Sequence, residues 1–384
     1  MLTAIDYDKV YSIFLEHYKK CQNDPETIIM RQASKQRIKS PLFISWEITS
    51  RCNLSCKHCR AAYNNSRNTT SIQSLENYMR VIQDFGENEV YKVGITGGEP
   101  FLHPYLPELI SACKREHLDI ILYTNATLIG SSEASMLSSI LSDDDIIHVS
   151  LDGGTEEDND SQRGIGVFQK ALHGLDELCK QGINIRLNVV PTIYNENSLL
   201  ELCDIALHYK VKEFGASPLM TCGRARNSKI TPDYKKLFDT EIKISEKLKG
   251  TPVNYIGGIS GTVHNLLDLP GFTTSSVFSI KRESSNLKTC DAASRKLFID
   301  ANGDCYPCSL FASDPVFIGG NIFDSSLHNV WTNPKWQPLR DGVHVTSSEC
   351  QQCTLFSLCN GGCMALAYQA TGRLGNMDPR CPKA

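Results

Sequence analysis

Residues 46–59 read WEITSRCNLSCKHC. The segment leaves an apolar, β-branched run at 43–49 and enters a loop with Cys52, Cys56 and Cys59 at C-x3-C-x2-C. Three thiolates on one short loop can take three corners of a cubane [4Fe–4S] cluster, which is otherwise closed by a fourth cysteine. The missing fourth leaves one iron open to another ligand. Tetrahedral zinc wants a fourth protein ligand, and His58 stands awkwardly between two thiols. A redox dithiol needs Cys56 and Cys59 but has no use for Cys52. The spacing favours the cubane, with zinc and redox chemistry open behind it.

Working outward from this loop, short apolar runs at 43–49, 90–96, 119–125, 146–152, 184–192 and 213–219 alternate with stretches of helical periodicity. The helical stretches are 75–85, 105–116, 133–141, 166–181, 197–209 and 232–249. Strands spaced by helices mean βαβ units and a parallel sheet. Six units make a partial (β/α)6 TIM-like barrel, with chemistry where strands end. A doubly wound sheet shares the pattern, so rhythm alone does not choose. Upstream, Tyr7, Val10, Tyr11, Phe14, Leu15 and Tyr18 form a helical stripe in an extension over 1–40, a packing face or a docking face. After Pro252 the rhythm stops and Gly, Ser, Thr and Pro become common. The expected division is an extension at 1–40, a barrel at 41–265 and a small cysteine-rich C-terminal domain at 266–384.

The chain has 384 residues and 16 cysteines, eight before residue 290 and eight from there on. It is long enough to fold without cross-links. The N-terminal residues show no apolar signal region. No run reaches the roughly 18 apolar residues of a membrane span. A net charge of −4 offers no basic field for nucleic acid. A cytoplasmic, reducing setting follows as the expectation, with thiols free, metal-bound or catalytic rather than paired. Many could simply be small buried hydrophobes. A monomer is expected, without membrane or nucleic-acid partners.

One βα unit after the cysteine loop, residues 94–100 read GITGGEP. Gly97 and Gly98 allow close approach of the backbone to a ligand, and Glu99 offers a carboxylate to an ammonium group. Together these residues resemble the radical S-adenosylmethionine superfamily over about residues 42–260. The resemblance implies that Cys52, Cys56 and Cys59 hold a [4Fe–4S] cluster whose open iron is chelated by the amine and carboxylate of S-adenosyl-L-methionine (SAM). It implies that Gly97, Gly98 and Glu99 meet the amine, and that His58 lies near the adenine. Thr124 and Asn125 in YTNAT, with Ser150 and Asp152 in HVSLDGG, match strand-end residues near the ribose and methionine. Arg163 matches a residue near the carboxylate, and Asn188 and Val190 lie near the adenine edge. Ordinary strand-end capping is the competing role for these later residues. In the implied reaction, one electron from the cluster splits the sulfonium to methionine and a 5′-deoxyadenosyl radical. That radical takes a hydrogen atom from an unactivated C–H bond.

The tail carries Cys290, then Cys305 and Cys308 in GDCYPC, then Cys350, Cys353, Cys359 and Cys363 at C-x2-C-x5-C-x3-C, and Cys381. This spacing resembles the SPASM domain that follows such barrels, over about 288–384. The resemblance implies two auxiliary [4Fe–4S] clusters, one on Cys350, Cys353, Cys359 and Cys381, the other on Cys290, Cys308 and Cys363. Some relatives have a further cysteine where this chain has Lys296. Cys305 is the expected fourth ligand in its place, unless that cluster is open. A pair of structural zinc sites is the alternative. Cys21, Cys113, Cys179, Cys203 and Cys222 fall outside both patterns. Cys222 stands where substrate should approach, and Arg224 could pair with a carboxylate or be a plain surface arginine.

The architecture implies a peptide, protein or small-metabolite substrate. Anaerobic sulfatase maturases carry an aspartate base after the YPC cysteine; here that residue is Ser309, a poor base unless activated. The expectation is therefore a maturase that cross-links a ribosomally made precursor peptide through a carbon–carbon, cyclophane or thioether bond. An electron donor such as flavodoxin or ferredoxin would serve it. Forty residues before the barrel are too few for a recognition domain of about 80–100 residues, so a separate leader-recognition protein or the 7–20 helix is expected to bind the leader. Sulfatase maturation, tetrapyrrole side-chain chemistry and a non-enzymatic electron carrier or zinc module are the alternatives.

Overall fold

The computed structural model describes residues 38–63, 72–217, 219–226, 228–256, 290–353, 356, 361–379 and 381. The N-terminal stripe, the boundary near residue 265, Cys21 and Cys359 lie outside the described residues.

Strand β1 (Phe43–Glu47) buries alternate residues, Ile44 and Trp46, against the helices. Helix α1 (Leu75–Glu87) turns Tyr78, Val81, Ile82 and Phe85 inward at i, i+3, i+4, i+7, and its first turn is capped by Ser74. The chain continues as β2 (Lys92–Thr96), α2 (Leu106–Arg115), β3 (Asp119–Thr124), α3 (Ser131–Ile140) and β4 (Ile146–Ser150). Then come α4 (Glu156–Arg163), α5 (Val167–Lys180), β5 (Ile185–Val189), α6 (Leu199–His208), β6 (Glu213–Ala216), α7 (Tyr234–Leu248) and β7 (Asn254–Tyr255). The six expected runs are all strands, and the six expected helical stretches are all helices.

All pairings from β7 through β1 are parallel, in the order β7-β6-β5-β4-β3-β2-β1. The consecutive order fits an open, partial barrel. Two features were not expected from the sequence. Helix α4, EEDNDSQR, has no apolar stripe; Thr155 caps it and three acids fill its first turn. The second is β8 (Lys296–Ile299), which pairs parallel with the other edge of β1, Phe43 opposite Lys296 and Trp46 opposite Ile299. It turns back antiparallel into β9 (Cys305–Tyr306). The cysteine-rich segment thus extends the barrel sheet directly.

Trp46 is the pivot of the core. Its ring lies 5.7 Å from Tyr78, 5.5 Å from Phe85 and 6.4 Å from Phe323. Arg80 on α1 donates to the Phe323 carbonyl at 2.6 Å, and Asp84 accepts from the Leu327 N–H at 2.6 Å. These contacts fix the C-terminal segment against the helix that follows the cysteine loop. No helix among the described residues is long and apolar enough to cross a membrane.

Candidate metal centre and cofactor site

The cysteine loop leaves β1 and is held from three sides. From the β2 loop, Gly98 donates to the Thr49 carbonyl and Glu99 to the Arg51 carbonyl, each at 2.8 Å. A Cβ on Gly97, at φ +144°, would stand 2.3 Å from Thr49 O, and one on Gly98 would stand 2.0 Å from Arg51 O. The close approach read from these glycines is thus made to the cysteine loop itself. On a second side, Lys57 donates to the Gln162 carbonyl at the end of α4, at 2.9 Å. The third anchor is the turn GRA, Gly223–Ala225, after β6. Arg224 donates from Nε to Cys56 O at 2.7 Å, from Nη1 to Tyr63 O at 3.0 Å, and from its backbone N–H to Cys59 O at 3.0 Å. Arg224 therefore clamps the loop.

Glu99 is fully buried and collects strand β3. It accepts from Thr124 Oγ1 at 2.7 Å, from the Asn125 N–H at 2.8 Å and from the Phe101 N–H at 3.3 Å. Burial pushes its carboxyl up to about 7 against the pull of those donors. Asn125 donates in turn to Asn53 on the cysteine loop at 2.9 Å, and Asn53 to Thr127 at 2.8 Å. Glu99, Thr124 and Asn125 thus form one group. Asn53 and Thr127 belong to it too, although nothing in their local sequence marks them.

Asp152, 0% exposed, is the second hub. Its carboxylate pairs with Arg163 Nε at 2.6 Å and His58 Nε2 at 3.4 Å, and accepts the Val190 N–H at 2.8 Å. Burial pushes it up, but Arg163 and His58 outweigh that and hold it below the ordinary carboxylate range. Burial lowers His58 to about 4, leaving a neutral imidazole near neutral pH. Asp152, Arg163, His58 and Val190 are therefore one interlocked set. At the ends of β4 and β5, Ser150 and Asn188 stand in register, and Ser217 donates to Asn188 at 3.3 Å.

In the tail, Cys290, Cys308 and Cys363 are electrostatic neighbours. Asp378 accepts the Cys363 N–H at 2.8 Å through its side chain and the Cys381 N–H at 2.9 Å through its carbonyl. Cys350 and Cys353 lie on one turn, where the Cys353 N–H reaches Cys350 O at 3.0 Å. Cys305 has surroundings different from those of the three thiols. Its thiol is 0% exposed in the core and donates to Gly303 O at 3.5 Å. Its charged neighbours are Asp300 and Asp304, not the three thiols. Cys305 lies within β9, both of whose residues are buried, while Cys308 lies beyond the strand. Of the cysteines outside both patterns, Cys113 and Cys203 are core residues, Cys179 packs against the core, and Cys222 is 3% exposed.

The donor chemistry fits a cationic cluster. Cys52, Cys56 and Cys59 share one loop, and Cys52 feels the charges of the other two. Burial raises the Cys52 thiol to about 12 and also lifts Cys56. Only strong positive charge keeps such thiols ionised at neutral pH. Among the described residues no three His, Cys, Asp or Glu side chains gather as a single metal ion requires; a cubane takes its thiolates on separate irons. His58 Nδ1, buried and without a hydrogen-bond partner, leaves an unmatched polar atom beside the loop.

Residues 46–206 match the family described as the radical SAM superfamily, and residues 290–354 match the iron–sulfur cluster-binding domain called SPASM. The protein thus carries a radical SAM domain followed by a SPASM domain. Mycofactocin maturase MftC of Mycobacterium tuberculosis (strain CDC 1551 / Oshkosh) is 28% identical over 349 residues, 90% of this chain and 83% of that one. An AdoMet-dependent heme synthase of Methanosarcina barkeri is 25% identical over 353 residues, 89% of this chain and 96% of that one. In fold, the chain resembles Streptococcus suis SuiB bound to the precursor peptide SuiA, with a TM-score of 0.75 at 21% identity over 95% of this chain and 81% of that chain.

Proposed function

We propose that this protein is a radical SAM peptide maturase that installs a carbon–carbon, cyclophane or thioether cross-link in a ribosomally made precursor peptide. The observation that carries the reading is a cavity of about 390 Å3 between the cysteine loop and the YPCS segment, with Ser309, rather than an aspartate, on its wall directly after the YPC cysteine. The likeness to a mycofactocin maturase supports the substrate class. Cys52, Cys56 and Cys59 hold the SAM-binding cluster; Cys350, Cys353, Cys359 and Cys381 hold one auxiliary cluster, and Cys290, Cys308 and Cys363 another. When bound, cluster and SAM supply hydrogen-atom abstraction from an unactivated C–H bond. The chain's own residues do the rest. Arg224 and the Gly97–Glu99 backbone hold the loop still, while Glu99, with Thr124 and Asn125 fixing its oxygens, stands ready for the methionyl ammonium. Asp152 orients His58 and Arg163, and burial of these groups keeps water from the reacting atoms.

The barrel over 41–265 and the auxiliary domain over 266–384 form one cytoplasmic monomer, reduced by a flavodoxin or ferredoxin and aided by a separate leader-recognition protein. The test is anaerobic reconstitution with the short peptide encoded nearest its gene. A product lacking a pair of hydrogens, with about eight to twelve irons per chain, is the expected result. Unchanged peptide while SAM is consumed sinks the substrate class, and two zincs per chain sink the enzyme. A second reading, tetrapyrrole side-chain chemistry, draws on the likeness to the heme synthase; turnover of a porphyrin instead of the peptide would favour it.

A further inference from the structure

The cavity between the cysteine loop and the YPCS segment has two carboxylates on its wall, Glu47 at the end of β1 and Asp300 just after β8. They are not equivalent. Glu47 is 3% exposed and both its oxygens are taken, one by Arg60 and the other by the Tyr63 hydroxyl at 2.8 Å. Arg60 in turn donates to the Ser309 carbonyl at 3.0 Å, which ties the opposite wall to the same frame. Asp300 uses only one oxygen for the fold. Its Oδ1 accepts the N–H groups of Asn302 at 2.9 Å and Asp304 at 3.0 Å, closing the turn between β8 and β9. Its Oδ2 has no protein partner among the described residues, and neither has the Ser309 hydroxyl.

The position of that oxygen is set rigidly. Gly303 in the same turn has φ +89°, and a Cβ there would stand 2.3 Å from the Phe323 ring. The turn is therefore locked against the aromatic cluster around Trp46. A carboxylate oxygen left without a protein partner, on a residue that lines a cavity, is an acceptor that selects a donor, because a partner lacking one leaves it unpaired. At about 390 Å3 the cavity lies at the small end of ligand pockets, roughly 300–1,000 Å3. That suits one residue of a peptide rather than a folded protein or a macrocycle.

We propose that this cavity receives the peptide residue that is modified, and that Asp300 is its specificity-determining contact: Oδ2 accepts a hydrogen bond from a donor on that residue's side chain. This rests on the peptide-maturase reading. Asp300→Asn is the informative variant, since its amide oxygen can still accept both turn N–H groups while the free carboxylate oxygen is lost. Iron content and melting temperature confirm that the reconstituted variant is intact. The rate of peptide modification and the binding of a dye-labelled copy of the peptide encoded beside the gene are then measured. The expected result is a loss of about tenfold or more in kcat/KM with weaker binding, and a smaller loss for Ser309→Ala.

An alanine scan of the peptide against both enzymes identifies the donor. One donor-bearing position should cost the native enzyme about tenfold and the Asp300→Asn enzyme little, the mark of a direct pair. If no position couples to Asp300, or if Asp300→Asn modifies the peptide like the native enzyme, the assignment is overturned while the maturase reading stands. If the native enzyme leaves the peptide unmodified, both fall. Should Asp300→Asn prove unstable, the same scan against Ser309→Ala decides whether the cavity recognises that residue.

Discussion

Cys305 and Cys308 stand three residues apart and have opposite surroundings. Cys308 neighbours Cys290 and Cys363, whereas Cys305 faces the core and a carbonyl. Cys308→Ala is expected to lower iron by about four atoms per chain, the content of one cubane. Cys305→Ala should keep native iron and lose about 1–2 kcal/mol of packing. Iron assay and thermal unfolding check both, and iron loss in Cys305→Ala would put that thiol back among the ligands. Arg224 is the other residue whose role the structure changes. A charged hydrogen bond contributes about 1.5–3 kcal/mol, so Arg224→Ala, which frees the carbonyls of Cys56 and Tyr63, should cost about 2–4 kcal/mol. It should also lower iron retained by the first loop under a chelator. Arg224→Lys should rescue poorly, because one ammonium cannot reproduce the fork.

Among the elements, the GRA turn is the least tolerant of change. Gly223 has φ +57°, and a Cβ there would lie 2.1 Å from Arg60 O. Gly223→Ala should therefore destabilise by more than about 2 kcal/mol and displace the cysteine loop, read as lower melting temperature and lower iron. Strand β4 carries a pH dependence. His148 is 7% exposed, its ring 4.7 Å from Tyr123, and burial, then Arg186 and Lys92, lower it to about 3. Because the folded value lies below the ordinary 6.5, the fold favours the neutral ring. The stabilisation is present above pH 6.5 and is lost as pH falls toward 3, by up to about 1.4 kcal/mol per pH unit. Replacing His148 with Asn should flatten that slope in melts taken from pH 7 to 4. These elements also show what a sequence reveals. The six barrel strands and the cysteine loop were legible because their apolar periods and thiol spacing are local. Helix α4 was not, since a helix of acids and amides has no stripe. Asp152 read as a strand-end residue, because its partners Arg163 and Val190 reach it only after folding.

For the whole molecule, the nine-stranded sheet makes the two halves interdependent. Strand β1 lies between β2 and β8, and Trp46 packs on Phe323. A chain ending at residue 256 should therefore aggregate or lose hydrogen-exchange protection over Phe43–Glu47, because it bares a strand edge and the Trp46 ring. Full protection in a soluble fragment would contradict this. The pairing of β8 with β1 had no local signal; four residues, KLFI, fix neither partner nor direction.

That pairing also sets a timetable for synthesis. Lys296 follows Phe43 by 253 residues (296 − 43), which a ribosome adding about 5–20 residues per second covers in roughly 13–50 seconds. Throughout that interval the strand that launches the cysteine loop has at most one neighbour, β2. Metal loading of the first site before β8 is made would meet a loop whose launching strand still lacks its second neighbour.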